Sequence, residues 1–142
     1  MNMKKALTAF VFMLMMISIV HGQDEITGTW LTQEQNSKVE IYRNGTGYFG
    51  KIVWLEKPTD NKGEPVADKN NPDKNLKNRP IMGLDMLQDL QYQEGTWVGK
   101  IYAPKRGFTL DVELMLEGED QLKVNVSRWG FTREQLWTRD SL

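Results

Sequence analysis

From Phe108 to Ser127 apolar and polar residues alternate for long enough to read both the secondary structure and its inward face. Leu110, Val112, Leu114 and Leu116 alternate with Thr109, Asp111, Glu113 and Met115. After Gly118, Glu119 and Asp120 the beat resumes with Leu122, Val124 and Val126 against Lys123, Asn125 and Ser127. Side chains on a strand alternate faces, so the pattern predicts two amphipathic strands. Placing all seven aliphatic residues on one face sets Leu116 opposite Leu122 and requires an odd loop. The three residues Gly118 to Asp120 supply one, at a common hairpin length.

The same alternation recurs along the chain. Gly28 to Thr32 is a short strand rich in β-formers, and Lys38 to Arg43 a second. Asn44-Gly45 is a strong hairpin signal leading into a long strand from Thr46 to Leu55. That two-residue turn pairs Arg43 with Thr46 and puts Val39, Ile41, Tyr48, Gly50, Ile52 and Trp54 on one face. Between Glu56 and Pro80 the pattern gives way to Asp, Asn, Lys, Gly and Pro, a long polar loop of a length that usually carries function or motion. Ile81 to Leu87 fits a strand or a short helix, and Gly83 favours the strand; Gln91 to Gly95 then reads as a turn. Thr96 to Ala103 forms the next strand, and the four residues Pro104 to Gly107 set Ile101 opposite Leu110, Trp97 opposite Leu114 and Lys100 opposite Asp111. Trp129-Gly130 turns the chain into a last strand from Phe131 to Thr138. Eight short-looped strands with no convincing helix predict an all-β fold, an eight-stranded antiparallel up-and-down barrel that fills with side chains or holds one small ligand.

The ends add two features. Lys4 and Lys5 precede a run from Ala6 to Val20 without charge, and small Gly22 is followed by polar Gln23, Asp24 and Glu25. This is the pattern of a secretory signal peptide over residues 1–22, leaving one domain over 23–142 with no integral membrane segment after processing. The expected compartment is periplasmic or extracellular. Residues Gly28-x-Trp30 and Trp137-x-Arg139, first strand and last, predict an Arg stacked on a Trp face that latches the barrel's closed end.

Composition narrows the chemistry. The chain has no Cys, and its one His, His21, lies in the predicted leader. Usual zinc sites, Cys nucleophiles and Ser-His-Asp triads are therefore not expected, and no catalytic residue, metal or cofactor is assigned. Loss of Lys4 and Lys5 would move the formal charge from −1 to about −3, which offers no footprint for nucleic acid. The oxygen-rich loop residues Asp68, Asn70, Asn71, Asp73 and Asn75 fail the calcium-hand spacing, because Asp73 and Arg79 stand where Gly and Glu are needed.

The candidate site comes from the last hairpin. A two-residue turn at Trp129-Gly130 sets Val126 opposite Arg133, Val124 opposite Gln135 and Leu122 opposite Trp137, so Arg133 and Gln135 fall on the inward face, whereas a one-residue slip or a bulge would turn Arg133 outward. A guanidinium facing an apolar interior needs a carboxylate or an anionic ligand. Arg133 and Gln135 are thus expected to hold the polar end of a small hydrophobic or amphipathic molecule, with Tyr48, Trp54, Trp97, Leu114 and Val124 lining the wall. The alternative is a filled barrel whose loop, residues 56–80, contacts a protein partner.

Gly28-x-Trp30, Gly50 to Trp54, Asp68-x-x-Asn71-Pro72 with Arg79 to Leu84, Trp97-x-Gly99-x-Ile101-Tyr102 and Arg133-x-Gln135-x-Trp137-x-Arg139 together resemble a family of exported bacterial proteins known as the domain of unknown function 2147. The resemblance spans nearly all of the chain beyond the leader. It implies a lipocalin-like barrel with a ligand cavity and an exported location, and brings no catalytic residue with it. Family members often carry a Cys where this chain has Phe49, so no redox role carries over.

Overall fold

The computed structural model describes residues 22–141, and the predicted leader up to His21 lies outside them. Eight strands run in chain order: β1 (Gly28–Leu31), β2 (Ser37–Asn44), β3 (Gly47–Leu55), β4 (Asp85–Gln93), β5 (Thr96–Ala103), β6 (Phe108–Glu117), β7 (Gln121–Arg128) and β8 (Phe131–Arg139). Each pairs antiparallel with its neighbour, and β8 closes on β1 through Trp30–Arg139 and Leu31–Thr138, making a closed up-and-down barrel.

The period-two patterns become pairings where they were cleanest. Leu116 faces Leu122, Trp97 faces Leu114, Ile101 faces Leu110, and Val126 faces Arg133. The outward pair Lys100 and Asp111 forms the expected cross-strand ion pair. Inward residues of every strand join one core, with Trp30, Trp137, Tyr48, Leu87, Leu90, Leu114 and Leu122 fully buried in it.

Three local expectations change. The β2–β3 hairpin turns at Gly45-Thr46 and not at Asn44-Gly45, so Arg43 pairs with Tyr48 and not Thr46. Because the shift is two residues, the inward face of Val39, Ile41, Tyr48, Gly50 and Ile52 is kept. Further along, Val39 pairs with Ile52 but Lys38 with Trp54, leaving Val53 as an extra residue. Such a bulge reverses the facing of the residues beyond it, and Trp54 is carried to the outer face under Lys38, 38% exposed. Finally, β4 starts at Asp85 and runs on to Gln93, through the segment expected to turn. A second bulge between Gln88 and Gln91, with Asp89 at φ 51°, breaks the alternation there.

The two ends differ. At one, a helical turn from Gly22 packs under the strands and sends Ile26 into the core with no exposed surface. The Trp30 indole donates to the Ile26 carbonyl (2.9 Å), the Trp97 indole to that of Gln23 (3.1 Å), and the Tyr48 hydroxyl to the Asp24 carboxylate (2.6 Å). Arg139 lies over Trp30, 4.2 Å from the ring centroid, and donates to the carbonyls of Glu25, Thr27 and Glu119. This is the expected latch, and it also holds the plug. Gly28 sits at φ 126°, a conformation that strains any side chain, and a Cβ there would come within 2.8 Å of the Arg139 guanidinium and push on the latch.

Candidate functional site

The other end carries the β1–β2 loop, the long loop after β3, Pro104 to Gly107, and the β7–β8 turn. The long loop is not loose. Short antiparallel bridges join Thr59 to Pro65 and Ala67 to Pro80, and Lys74–Leu76 forms a 3-10 turn capped by Asp73. Its centre is Asp68, whose side chain is completely buried yet fully partnered. One carboxylate oxygen accepts from the Tyr102 hydroxyl at 2.7 Å, the other from Asn71 Nδ2 at 2.8 Å and Arg79 Nε at 2.9 Å. Burial pushes the Asp68 carboxyl up, but these three donors outweigh it and leave the group below its ordinary value. Tyr102 is raised by its own burial and by the hydrogen bond to Asp68. Asn71 Oδ1 takes the Asp73 amide across Pro72, an Asx turn.

Asp68, Asn71, Arg79 and Tyr102 thus meet in one cluster on the outer side of β5, although the sequence pattern gives them no common purpose beyond loop and strand. A saturated network of this kind fixes structure, since every donor and acceptor facing Asp68 is already used. Among the described residues, no group of three or more His, Cys, Asp or Glu is arranged to hold a metal ion.

Of the seven residues expected at a ligand site, the structure brings four into the core and two to the mouth. Tyr48, Trp97, Leu114 and Val124 are buried in the one apolar cluster. With Trp30 and Trp137 they fill the closed half of the barrel. Trp54, displaced by the bulge at Val53, lies outside and is removed from the lining. Arg133 and Gln135 have the expected inward register on β8, but Arg133 is exposed at the rim instead of facing an apolar interior, and Gln135 is half-buried below it. The strand is long enough to carry position 133 beyond the packed core. Gln135 Oε1 accepts from the Trp137 indole (3.1 Å), which turns the amide on its side chain. No carboxylate of the described residues lies within ion-pair distance of Arg133. Half-buried Leu110 on β6 and Val126 on β7 pack against the core on the same side. An open, polar depression lies outside the β4–β5 hairpin between Tyr92, Glu94, Thr96 and Glu113, and contains none of these residues.

The pairing of a latch at one end with a charged mouth at the other is where comparison with known proteins becomes informative. The bacterial family described as "Uncharacterized protein conserved in bacteria (DUF2147)" matches residues 28–139. The chain belongs to this family. Its fold is similar to that of HP1028 from Helicobacter pylori, a protein described as belonging to the lipocalin family, with a TM-score of 0.68, 25% identity, and coverage of 82% of this chain and 83% of that one. Among curated proteins no match is found. The DUF2147 chain is therefore a lipocalin-like barrel.

Proposed function

We propose that this DUF2147 protein is an exported binding protein, not an enzyme, that takes a small amphipathic molecule with an anionic head at the open mouth of its barrel. The observation that carries the reading is Arg133, a guanidinium in inward register with no carboxylate of the described residues within ion-pair distance, set above half-buried Leu110 and Val126. A carboxylate or phosphate would receive its paired N–H groups, and Gln135, turned by Trp137, would add a second polar contact. The apolar body would rest on Leu110 and Val126 and stop at the packed core. Ligand depth is thus shallower than the sequence pattern implies: Tyr48, Trp97, Leu114 and Val124 form the floor's packing, not a deep wall. The charge-free run before Gly22 supports export.

The filled closed half of the barrel favours a second reading, an interaction module that contacts a protein through the loop at 56–80. Titration with a fluorescent long-chain fatty acid separates the two. Under the binding reading the wild type takes one equivalent and Arg133→Met loses affinity about tenfold or more. Absence of binding would favour the interaction module, and binding that Arg133→Met leaves unchanged would take Arg133 out of the site.

A further inference from the structure

The β7–β8 turn presents two large aromatic side chains to solvent, Trp129 at 83% exposure and Phe131 at 81%. Three of the other tryptophans, Trp30, Trp97 and Trp137, are buried in the core. Phe131, Thr132, Arg133 and Glu134 are exposed in succession, on both faces of the strand, so this tip stands clear of the barrel wall. Its backbone makes the aromatic residue costly. Trp129 and Gly130 have φ of 50° and 81°, a two-residue turn in which both positions are left-handed. Asn or Gly is the favoured first residue there, and a bulky side chain is strained. Trp129 therefore serves neither the core nor the turn.

What Trp129 does contact is charge. The Arg128 guanidinium lies 4.1 Å from the Trp129 ring centroid and 4.2 Å from that of Phe108, held between the two. Neither Arg128 nor Arg106, in the adjacent loop, has a carboxylate of the described residues within ion-pair distance, and the same is true of Arg133. Nearby Glu34 is engaged by Lys105, and Glu134 lies 4.0 Å from Lys123. In a chain of net charge −1, this end gathers unpaired guanidinium groups around protruding aromatic rings.

We propose that the β7–β8 tip, through Trp129, Phe131 and Arg128, docks the protein on an anionic phospholipid surface. Indole and phenyl rings enter the headgroup boundary favourably, and guanidinium groups pair with lipid phosphates. A second copy of the chain is a poor occupant, because two such tips would set arginines against arginines. The surface borders the mouth at Arg133, but its rings belong to the turn, and it does not rest on the ligand-binding function.

The test uses protein purified from its own host and sedimented with vesicles of phosphatidylcholine alone or mixed with phosphatidylglycerol. Wild type should bind the mixed vesicles more tightly, with a blue shift of tryptophan emission and loss of binding at high salt. The double variant Trp129→Asn, Phe131→Thr should lose about tenfold or more in partitioning while melting no lower than wild type, since Asn suits the turn better than Trp. Any N-terminal apolar segment is common to both proteins, so the difference between them reads the tip alone. Equal binding by the double variant, no preference for phosphatidylglycerol, or a self-association in sedimentation that the double variant abolishes would each overturn the proposal.

Discussion

Tyr102 and Asp68 are 34 positions apart in the chain, and the hydroxyl of one lies 2.7 Å from the carboxylate of the other, with both residues buried. That contact ties the long loop to the barrel wall. With Arg79 and Asn71 it leaves the carboxylate more acidic than usual despite burial. A carboxyl whose folded value lies below its unfolded one contributes stability that is complete above the unfolded value and is lost as the pH falls through the folded one. Acid unfolding should therefore begin below about pH 4, the ordinary Asp range. Asp68→Asn should flatten that part of the stability curve, measured by urea titration at several pH values. Were the acid limb of the variant as steep as that of wild type, Asp68 would not be its source.

Removing the hydroxyl alone is a finer probe of the same network. Tyr102→Phe keeps the ring under Arg79, whose guanidinium lies 5.5 Å from the ring centroid, but leaves Asp68 one donor short. The expected loss is about 1–3 kcal/mol, the cost of an unmet buried acceptor. Hydrogen exchange of the Asp68 amide, which is bonded to the Arg79 carbonyl, should speed up with it.

At the plugged end the sign reverses. Burial and the bond to Asp24 push Tyr48 up to about 12, and burial with Asp85 does the same for Tyr42. A tyrosine raised on folding contributes stability that is full below its unfolded value of about 10 and is lost as the pH climbs through the folded value. The protein should weaken between about pH 10 and 12, with tyrosinate absorbance from Tyr42 and Tyr48 delayed to the upper end of that window. Tyr48→Phe should shrink the alkaline loss. An unchanged loss would place it in another group.

Arg139 carries more of the closed end than its position near the terminus suggests. It stacks on Trp30 and donates to the Glu25, Thr27 and Glu119 carbonyls, joining plug, first strand, last strand and the β6–β7 hairpin. A Lys cannot span three acceptors while lying flat on a ring. Arg139→Lys should cost about 2 kcal/mol in urea unfolding and free the N-terminal turn first, seen as a solvent-exposed shift in tryptophan emission.

The legible parts of the sequence were those where one face met the core and the other met water. From Thr96 onward, alternation and short loops fixed nearly every partner, down to Lys100 against Asp111. The pattern failed where a single residue altered its phase. Val53 looks like one more inward-or-outward position, but as a bulge it moved Trp54 from the expected lining to the outside. Asp89 did the same for β4, hiding a strand in what read as a turn. Polar clusters were the least legible, because Asp68, Asn71 and Arg79 carry loop composition and gain meaning only beside Tyr102. A signal was present in their spacing around Pro72, though nothing in it pointed to the wall of β5. Arg133 lies between these cases: its register was readable from the turn, but its height above the packed core was not.

Gly107 offers the most direct test that the loop is locked down and not merely resting on the barrel. It comes after Pro104, Lys105 and Arg106 at φ 73°, and a Cβ there would overlap the Asn70 carbonyl oxygen. Asn70 in turn donates its side-chain amide to the Lys105 carbonyl at 3.0 Å. Gly107→Ala meets two penalties at once, a left-handed backbone and a collision with backbone that cannot rotate away. The loop must lift for the methyl group to fit, which would draw Asp68 off Tyr102. The expected result is a loss of about 2–4 kcal/mol, with protease cleavage appearing between Glu56 and Pro80 while the barrel strands stay protected. A fully stable, uncut Gly107→Ala protein would show that the loop can shift without disturbing the carboxylate it buries.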